Sequence, residues 1–94
     1  MSHPFVPDWT MSPAAILVVE LRERGMSGAE FAVRSRLGPE RTAGLLAGQL
    51  RIDGPVAAGI ALVLETSGTM WMNAQQIYDD ALARGAKDIS GEYL

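Results

Sequence analysis

The stretch SGAEFAVRSRLGPERTAGLLAG, residues 27–48, decides the fold, because it contains two helix starts separated by a tight turn. Ser27 and Glu30 form a capping box, in which the serine hydroxyl accepts from the Glu30 backbone N–H and the glutamate carboxylate reaches back to the N–H of Ser27. This pattern predicts a first helix over residues 28–35. A Gly-Pro pair then opens a second helix over residues 39–47, and the glycine after it is a typical left-handed terminator.

These two helices have the spacing of a helix-turn-helix. The second begins about eleven residues after the first, which is typical of proteins whose first helix braces across the DNA backbone and whose second enters the major groove. Many helical domains without a nucleic acid partner contain the same corner. The spacing therefore favours DNA binding without deciding it.

The composition describes one small domain with an ordinary apolar core. The chain has 94 residues, 48% of them hydrophobic, and is shorter than the chains that divide into domains. With no cysteine and one histidine, His3, it offers no disulfide, thiolate metal site or cysteine nucleophile, and we expect no metal and no cofactor. No apolar run approaches the ~18 residues of a membrane span, and no signal pattern opens the chain. We expect a cytoplasmic protein without membrane association.

The charge is unevenly distributed along the chain. The formal net charge is −3 and the pI is near 4.9, which at first argues against a nucleic acid partner. Residues 22–51 nevertheless hold six arginines against three glutamates, a net charge of +3, so the two flanks together contribute −6. The acidic total therefore does not exclude DNA. It predicts a salt-sensitive contact on one side of the domain, the alternative being a solvated arginine-rich face without function.

Three further helices are predicted outside the central stretch. A serine cap and a first-turn proline precede a helix over residues 13–24. The sequence DGP at residues 53–55 starts a fourth helix, which ends near Thr66, and a fifth helix spans residues 69–84. No segment alternates with period two for long enough to predict a strand.

The predicted fold class is all-α, with five helices. It has an extended N-terminal arm over residues 1–11, a helix-turn-helix domain over residues 12–84 and a tail over residues 85–94. We expect Phe5 and Trp9 of the arm to pack on another part of the protein. Helical periodicity selects the core residues of the first three helices, which are Ile16, Leu17, Leu21, Phe31, Ala32, Thr42, Leu45 and Leu46.

The central stretch resembles the helix-turn-helix core of the lambda-repressor-like (XRE) family. In that family an acidic residue, an apolar residue and an alanine open the first helix, and Leu-Leu-x-Gly closes the second. The residues that match this pattern are Glu30, Phe31, Ala32, Leu45, Leu46 and Gly48.

The flanks narrow the resemblance to the HigA-type antitoxins. FVPDWTMSPAAILVVELRERGMS precedes the motif and TMWMNAQQIYD follows it, and the family commonly closes with a Trp-x-Asn-x-Gln-x-x-Tyr helix, matched here by Trp71, Asn73, Gln75 and Tyr78. The resemblance covers about residues 4–80. It implies a five-helix lambda-repressor-like domain that binds its own operator as a homodimeric repressor and, in complete modules, neutralises a partner RNase toxin.

The sequence also departs from the family pattern. Gly28 stands where the family usually has a glutamine that grips a phosphate, and Arg36 stands at the turn position commonly held by glycine. Position 42, usually a buried aliphatic residue, is threonine, and the glycine usual near the end of the fourth helix is Glu65. The second helix of the motif offers few polar side chains for base contacts, so either the operator is contacted with few side chains or DNA binding has been lost.

Physical roles can be assigned to the residues of the motif. Arg41, near the start of its second helix, is the best candidate for a bidentate contact to guanine O6 and N7, worth about 1–3 kcal/mol of discrimination. Glu40 can accept from a cytosine amino group, or it only favours the helix N-terminus through the macrodipole. Gly44 completes the predicted base-contacting set. The candidate phosphate contacts are Ser27, Gly28, Arg34, Arg36, Gln49 and Arg51.

One face of the predicted fifth helix contains a stripe of large side chains, at Trp71, Gln75, Tyr78 and Leu82. Core packing is the more frequent role of an aromatic residue such as Trp71. For the rest of the stripe we predict a dimer interface, since a two-fold pair would set two second helices about one DNA turn apart.

Catalysis is the least favoured class of function. The chain has no glycine-rich phosphate loop and no cysteine, and the adjacent Asp79 and Asp80 do not share a helix face as a catalytic pair would. We expect no catalytic residue, no small-molecule substrate and no metal site. The main alternative to a DNA-binding repressor is a protein-interaction module of the same fold that does not contact DNA, or a regulator without a toxin.

Overall fold

A computed structural model describes residues 8–94, and five α-helices account for most of them. This confirms the all-α prediction, with helix ends within about two residues of those predicted. Phe5 lies outside the described residues. No helix within residues 8–94 is long and apolar enough to cross a membrane. The helices are α1 (Pro13–Glu23), α2 (Gly28–Arg34), α3 (Pro39–Leu46), α4 (Gly54–Leu64) and α5 (Gly68–Ala83).

Polar side chains cap four of the five helices. Ser27 Oγ accepts from the Glu30 backbone N–H at 3.1 Å, which is one half of the predicted capping box. The Glu30 carboxylate accepts from Arg34 at 3.1 Å instead of from the Ser27 N–H. Asp53 caps α4 through the N–H of Val56 at 2.9 Å, and serines at positions 12 and 67 cap α1 and α5 in the same way. Each such cap stabilises a helix start by about 1 kcal/mol. Helix α3 begins instead at Gly38, which has no side chain to offer.

Each helix contributes at least one large, fully buried side chain to the core. These are Leu17, Phe31, Leu45, Ile60 and Trp71, taken from α1 to α5 in order. The predicted burial of the core residues holds with one clear exception.

The exception is Ile16, which is 38% exposed. The buried side of α1 is centred on Ala14, Leu17 and Leu21, and one residue along a helix turns by about 100°, so Ile16 lies at the edge of that side. The prediction that Ile16 belongs to the core is therefore wrong. Its side chain faces a groove beside α5 instead.

The turn between α2 and α3 is clamped by α4. Arg36 and Gly38 both adopt positive φ, 64° and 86°, which reverses the chain within four residues. Leu37 between them is buried. At Gly59 of α4 a Cβ would lie 2.9 Å from Leu37 Cγ and 3.0 Å from the carbonyl oxygen of Ser35. Glycine at this position therefore permits the close packing that holds the two helices of the motif at a fixed angle.

The end of the arm and the start of the tail form a small parallel sheet. Strand β1 (Trp9–Thr10) pairs with β2 (Lys87–Asp88), an element that the sequence does not predict, because two residues cannot show a period of two. Thr10 is buried, whereas Trp9 remains 46% exposed, so the predicted packing of Trp9 is incomplete within the described chain. The sheet joins segments separated by almost the whole domain.

A polar cluster fastens the tail to the rest of the fold. Asp88 accepts from the hydroxyl of Tyr78 at 2.6 Å and from the backbone N–H of Ser90 at 2.9 Å, and Ser90 Oγ in turn accepts from the N–H of Ser12 at 2.7 Å. The bond to Asp88, with some desolvation, raises the pKa of Tyr78 to about 12. At Asp88 desolvation opposes ionisation, but the bonds from Ser90 and Tyr78 outweigh it and the pKa is lowered.

Candidate nucleic-acid interface

The outward side of α3 is the natural surface for a groove contact. Thr42 and Leu45 are buried against the domain, while Glu40 and Arg41 are exposed. The exposed positions also include two alanines, 43 and 47. Gly38 provides no side-chain cap and Pro39 has no N–H, so the open backbone donors at the start of α3 are the N–H groups of Glu40 and Arg41. This end of α3 therefore presents hydrogen-bond donors to solvent.

The three residues predicted to contact bases occupy different environments. Arg41 and Glu40 are exposed and lie in the first turn of α3. Gly44 is half-buried, and a Cβ there would meet only Leu50 Cβ at 3.8 Å, an ordinary contact distance. Because glycine has no side chain, a bound molecule can approach the α3 backbone closely at Gly44. An alanine would also fit at this position.

The start of α2 is a second donor site beside α3. Ser27 is exposed and engaged as the cap, and the N–H groups of Gly28 and Ala29 have no carbonyl within the helix to bind. At Gly28 a Cβ would lie 3.2 Å from Leu46 Cδ1. Any side chain at this position, including the family's glutamine, would therefore press against Leu46 of α3.

The predicted phosphate-binding arginines fall into two groups. Arg34 donates to Glu30 at 3.1 Å across one turn of α2, and Arg51 makes a bidentate pair with Asp79 at 3.2 and 2.5 Å. The third, Arg36, makes no ion pair within residues 8–94, and neither does Arg41, which is predicted to contact bases. The last predicted contact is Gln49, an exposed residue in the loop after α3. Of the three arginines predicted to bind phosphates, only Arg36 is therefore not paired with a carboxylate.

Asp79 has a structural role that the sequence did not predict. Besides Arg51, it accepts from Gln75 Nε2 at 3.1 Å, and Gln75 Oε1 accepts from the backbone N–H of Ile52 at 3.0 Å. The bonds from Arg51 and then Gln75 hold the pKa of Asp79 below its ordinary value. This cluster ties the loop after α3 to α5. The contact joins positions 28 residues apart, and no local signal in the sequence marks it.

The residues of the predicted dimer stripe are partly committed to the subunit itself. Trp71 is 2% exposed and its indole N–H donates to Thr66 Oγ1 at 2.9 Å, which confirms the core role that the sequence favoured for it. Gln75 is also buried. Tyr78 is half-buried and bound to Asp88, and Leu82 is 42% exposed. The use of these four positions in a dimer remains a prediction.

No group of three or more metal-ligating side chains occurs in the described part of the chain. The surface built by α2, α3 and the turn between them presents the unpaired arginines Arg36 and Arg41, the exposed carboxylate of Glu40 and open backbone N–H groups at two helix starts. Such a surface suits hydrogen bonding to phosphates and base edges. Together with the packing of the two helices through a tight turn, it defines the class of protein as a helix-turn-helix DNA-binding domain.

Comparison with known proteins identifies the family. The chain is 30% identical over 78 residues to YddM, an uncharacterised HTH-type transcriptional regulator of Escherichia coli (strain K12), and the match covers 83% of each chain. A solved structure, an addiction module antidote protein of a HigA family from Coxiella burnetii, superposes with a TM-score of 0.73 at 28% identity, over 80% of this chain and 83% of that one. No family model matches the sequence. The chain belongs to the HigA-type antitoxins with a lambda-repressor-like helix-turn-helix domain.

Proposed function

We propose that the protein is a transcriptional repressor of the HigA antitoxin type that binds its own operator as a homodimer in the cytoplasm. In this proposal α3 enters the major groove and α2 lies across the backbone. The domain organisation in this proposal is an arm over residues 1–11, a helix-turn-helix domain over residues 12–84 and a tail over residues 85–94. A cognate RNase toxin, where its gene is present, is the second partner. The function is binding, without catalysis or a small-molecule substrate.

The observation that supports this proposal most strongly is the position of Arg41. Its guanidinium is exposed in the first turn of α3, and no carboxylate among residues 8–94 pairs with it. An arginine at the start of a recognition helix can donate two parallel bonds to guanine, which discriminates against other bases by about 1–3 kcal/mol. Glu40 and Gly44 flank it on the same side, with Gly44 allowing close approach of the helix backbone.

Phosphate contacts would fix the register of the domain on DNA. The open N–H groups at Gly28 follow Ser27 at the start of α2, and Arg36 extends from the turn. Gln49 lies beyond α3, whereas Arg34 and Arg51 must exchange a carboxylate for a phosphate to contribute. About four neutralised phosphates per subunit, eight per dimer, predict a log–log salt slope of about −7.

The test is a mobility shift with the DNA upstream of the protein's own reading frame. Wild-type protein is expected to retard this duplex at ~50 mM salt and to lose affinity about 10- to 100-fold in Arg41→Ala. Arg84→Ala is the matched control. Arg84 is exposed at the end of α5, outside the motif, and the substitution removes the same charge as Arg41→Ala. No retardation of any tested fragment, or equal loss in both variants, would refute the proposal.

A second function has one observation in its favour. Arg34 and Arg51 are already paired with carboxylates, and Glu40 adds an acidic group to the outward side of α3. A domain with this face can instead bind a protein partner without contacting DNA. Co-purification with a small basic protein encoded beside it, combined with no retardation of DNA, would favour this alternative.

A further inference from the structure

A groove of about 430 Å³ lies between α1 and α5, and none of its lining residues comes from α2 or α3. Its floor is formed by the buried side chains of Leu64 and Trp71, and Ala74 lies along one wall. Ile16 and Met70 form its apolar rim and are 38% and 46% exposed. Methionine is enriched at protein interfaces, and contiguous exposed apolar surface marks interaction sites.

A protruding side chain stands on the same face as the groove. Ile77 is 66% exposed on α5, three residues after Ala74 and seven after Met70. Spacings of four and three place these residues along one stripe of the helix, which is the spacing of a helix–helix seam in which a side chain of one helix enters a hole on another. The face therefore presents both a hole and a side chain large enough to fill one.

The wall of the groove is electrostatically self-complementary. Glu20 and Arg24 extend from α1 along the groove, 3.6 Å apart and each a little over 40% exposed. A two-fold axis brings residue i of one subunit opposite residue j of the other and j opposite i. An acid and a base one helical turn apart can therefore each meet the opposite charge of a second copy.

We propose that the α1–α5 groove is the surface through which two copies of this chain associate, with Ile77 of each copy seated in the groove of the other. Glu20 then faces the partner subunit's Arg24, and the reverse pair forms by symmetry. This interface belongs to the homodimer of the proposed function, and the proposal rests on that function only because it requires a dimer.

The interface differs from the one predicted from the sequence. The stripe of Met70, Ala74 and Ile77 lies about a third of a turn around α5 from the predicted stripe, and Trp71 of the predicted stripe forms the floor of the groove.

The first test measures the dimer dissociation constant by sedimentation equilibrium in the absence of DNA. Ile77→Glu is expected to raise this constant at least 100-fold. Leu62→Glu is the matched control, because Leu62 is 60% exposed on α4, does not line the groove and undergoes the same change of charge. The control is expected to leave the constant within about twofold. Circular dichroism reports whether each variant remains folded.

The second test exchanges charges between subunits. Glu20→Arg and Arg24→Glu should each weaken their own homodimer about 10-fold, since each sets like charges opposite one another. An equimolar mixture of the two variants should restore wild-type affinity, because both pairs are then opposite in sign. If either substitution weakened the dimer only by disturbing the fold of its own subunit, mixing the two variants would not restore the affinity.

Three results would overturn the proposal: a protein that is monomeric at all concentrations, a dimer that Ile77→Glu leaves intact, or a mixture that shows no rescue. Should Ile77→Glu fail to fold, the mixing experiment decides alone. Because no DNA is present, failure of DNA binding leaves these outcomes unaffected. The two proposals can therefore fail separately.

Discussion

Replacing Thr42 with valine is expected to stabilise the domain. Thr42 is 3% exposed on the inner side of α3, and its hydroxyl has no hydrogen-bond partner among the described residues. An unpaired buried hydroxyl costs about 1–3 kcal/mol relative to its hydrated state in the unfolded chain. Valine keeps the branched shape and has nearly the same helix propensity, and its extra methyl group adds apolar burial.

The expected gain is therefore about 1–2 kcal/mol in the free energy of unfolding. For a domain of this length it corresponds to a rise in melting temperature of about 4–8 °C per kcal/mol. Urea unfolding at one fixed protein concentration, followed by circular dichroism at 222 nm, measures it directly, and the m-value should not change.

Thr42→Ser provides the matched control, because it keeps the hydroxyl and removes the methyl group. We expect this variant to lose about 1 kcal/mol through the missing buried methyl. A valine variant whose unfolding midpoint is unchanged or lowered would refute the reasoning. The hydroxyl of Thr42 would then have a hydrogen-bond partner in the folded protein.

Further predictions concern glycine sites, the turn and high pH. Gly59→Ala should destabilise the domain by about 1–3 kcal/mol, because its Cβ would lie 2.9 Å from a packed side chain, whereas Gly44→Ala, with 3.8 Å of clearance, should stabilise it by about 0.5–1 kcal/mol. Arg36→Gly should gain roughly 1 kcal/mol by relieving a positive φ of 64°, and a lower urea midpoint would contradict this. Because its folded-state pKa is raised to about 12, Tyr78 contributes stability that is complete below its ordinary value of 10 and is lost as the pH rises from there to about 12. Urea midpoints across this range should fall more steeply in wild type than in Tyr78→Phe, and parallel curves would exclude the bond to Asp88.

Local patterns in the sequence were sufficient for the helices and the motif. The capping box at Ser27 and Glu30 and the Gly-Pro start of α3 each act within four residues, so they appear in the sequence as fixed spacings. Among residues 8–94 the two non-glycine residues with positive φ are Arg36 and Glu65, which stand where the resemblance places a glycine in the family. A glycine in the family suits the left-handed backbone at these two positions.

Contacts between distant segments could not be predicted. The pair between Arg51 and Asp79 joins the loop after α3 to α5, and the bond from Ser12 to Ser90 joins residues 78 positions apart. Neither has a periodicity or spacing that distinguishes it from other polar surface residues. Periodicity within a single helix has a similar limit. Neighbouring residues of α1 lie about 100° apart, so Leu17 is in the core whereas Ile16 lines the groove beside α5.

A titration of ¹⁵N-labelled protein with the duplex upstream of its own reading frame, followed at every backbone amide by NMR, tests whether α2 and α3 form the DNA-binding surface. If they do, the largest shifts occur at the start of α2, around Ser27 and Gly28, and at the start of α3, around Glu40 and Arg41. Amides of α4 should remain nearly unchanged. Shifts confined to the α1–α5 face, or no shifts at protein and DNA concentrations near 100 μM, would contradict it.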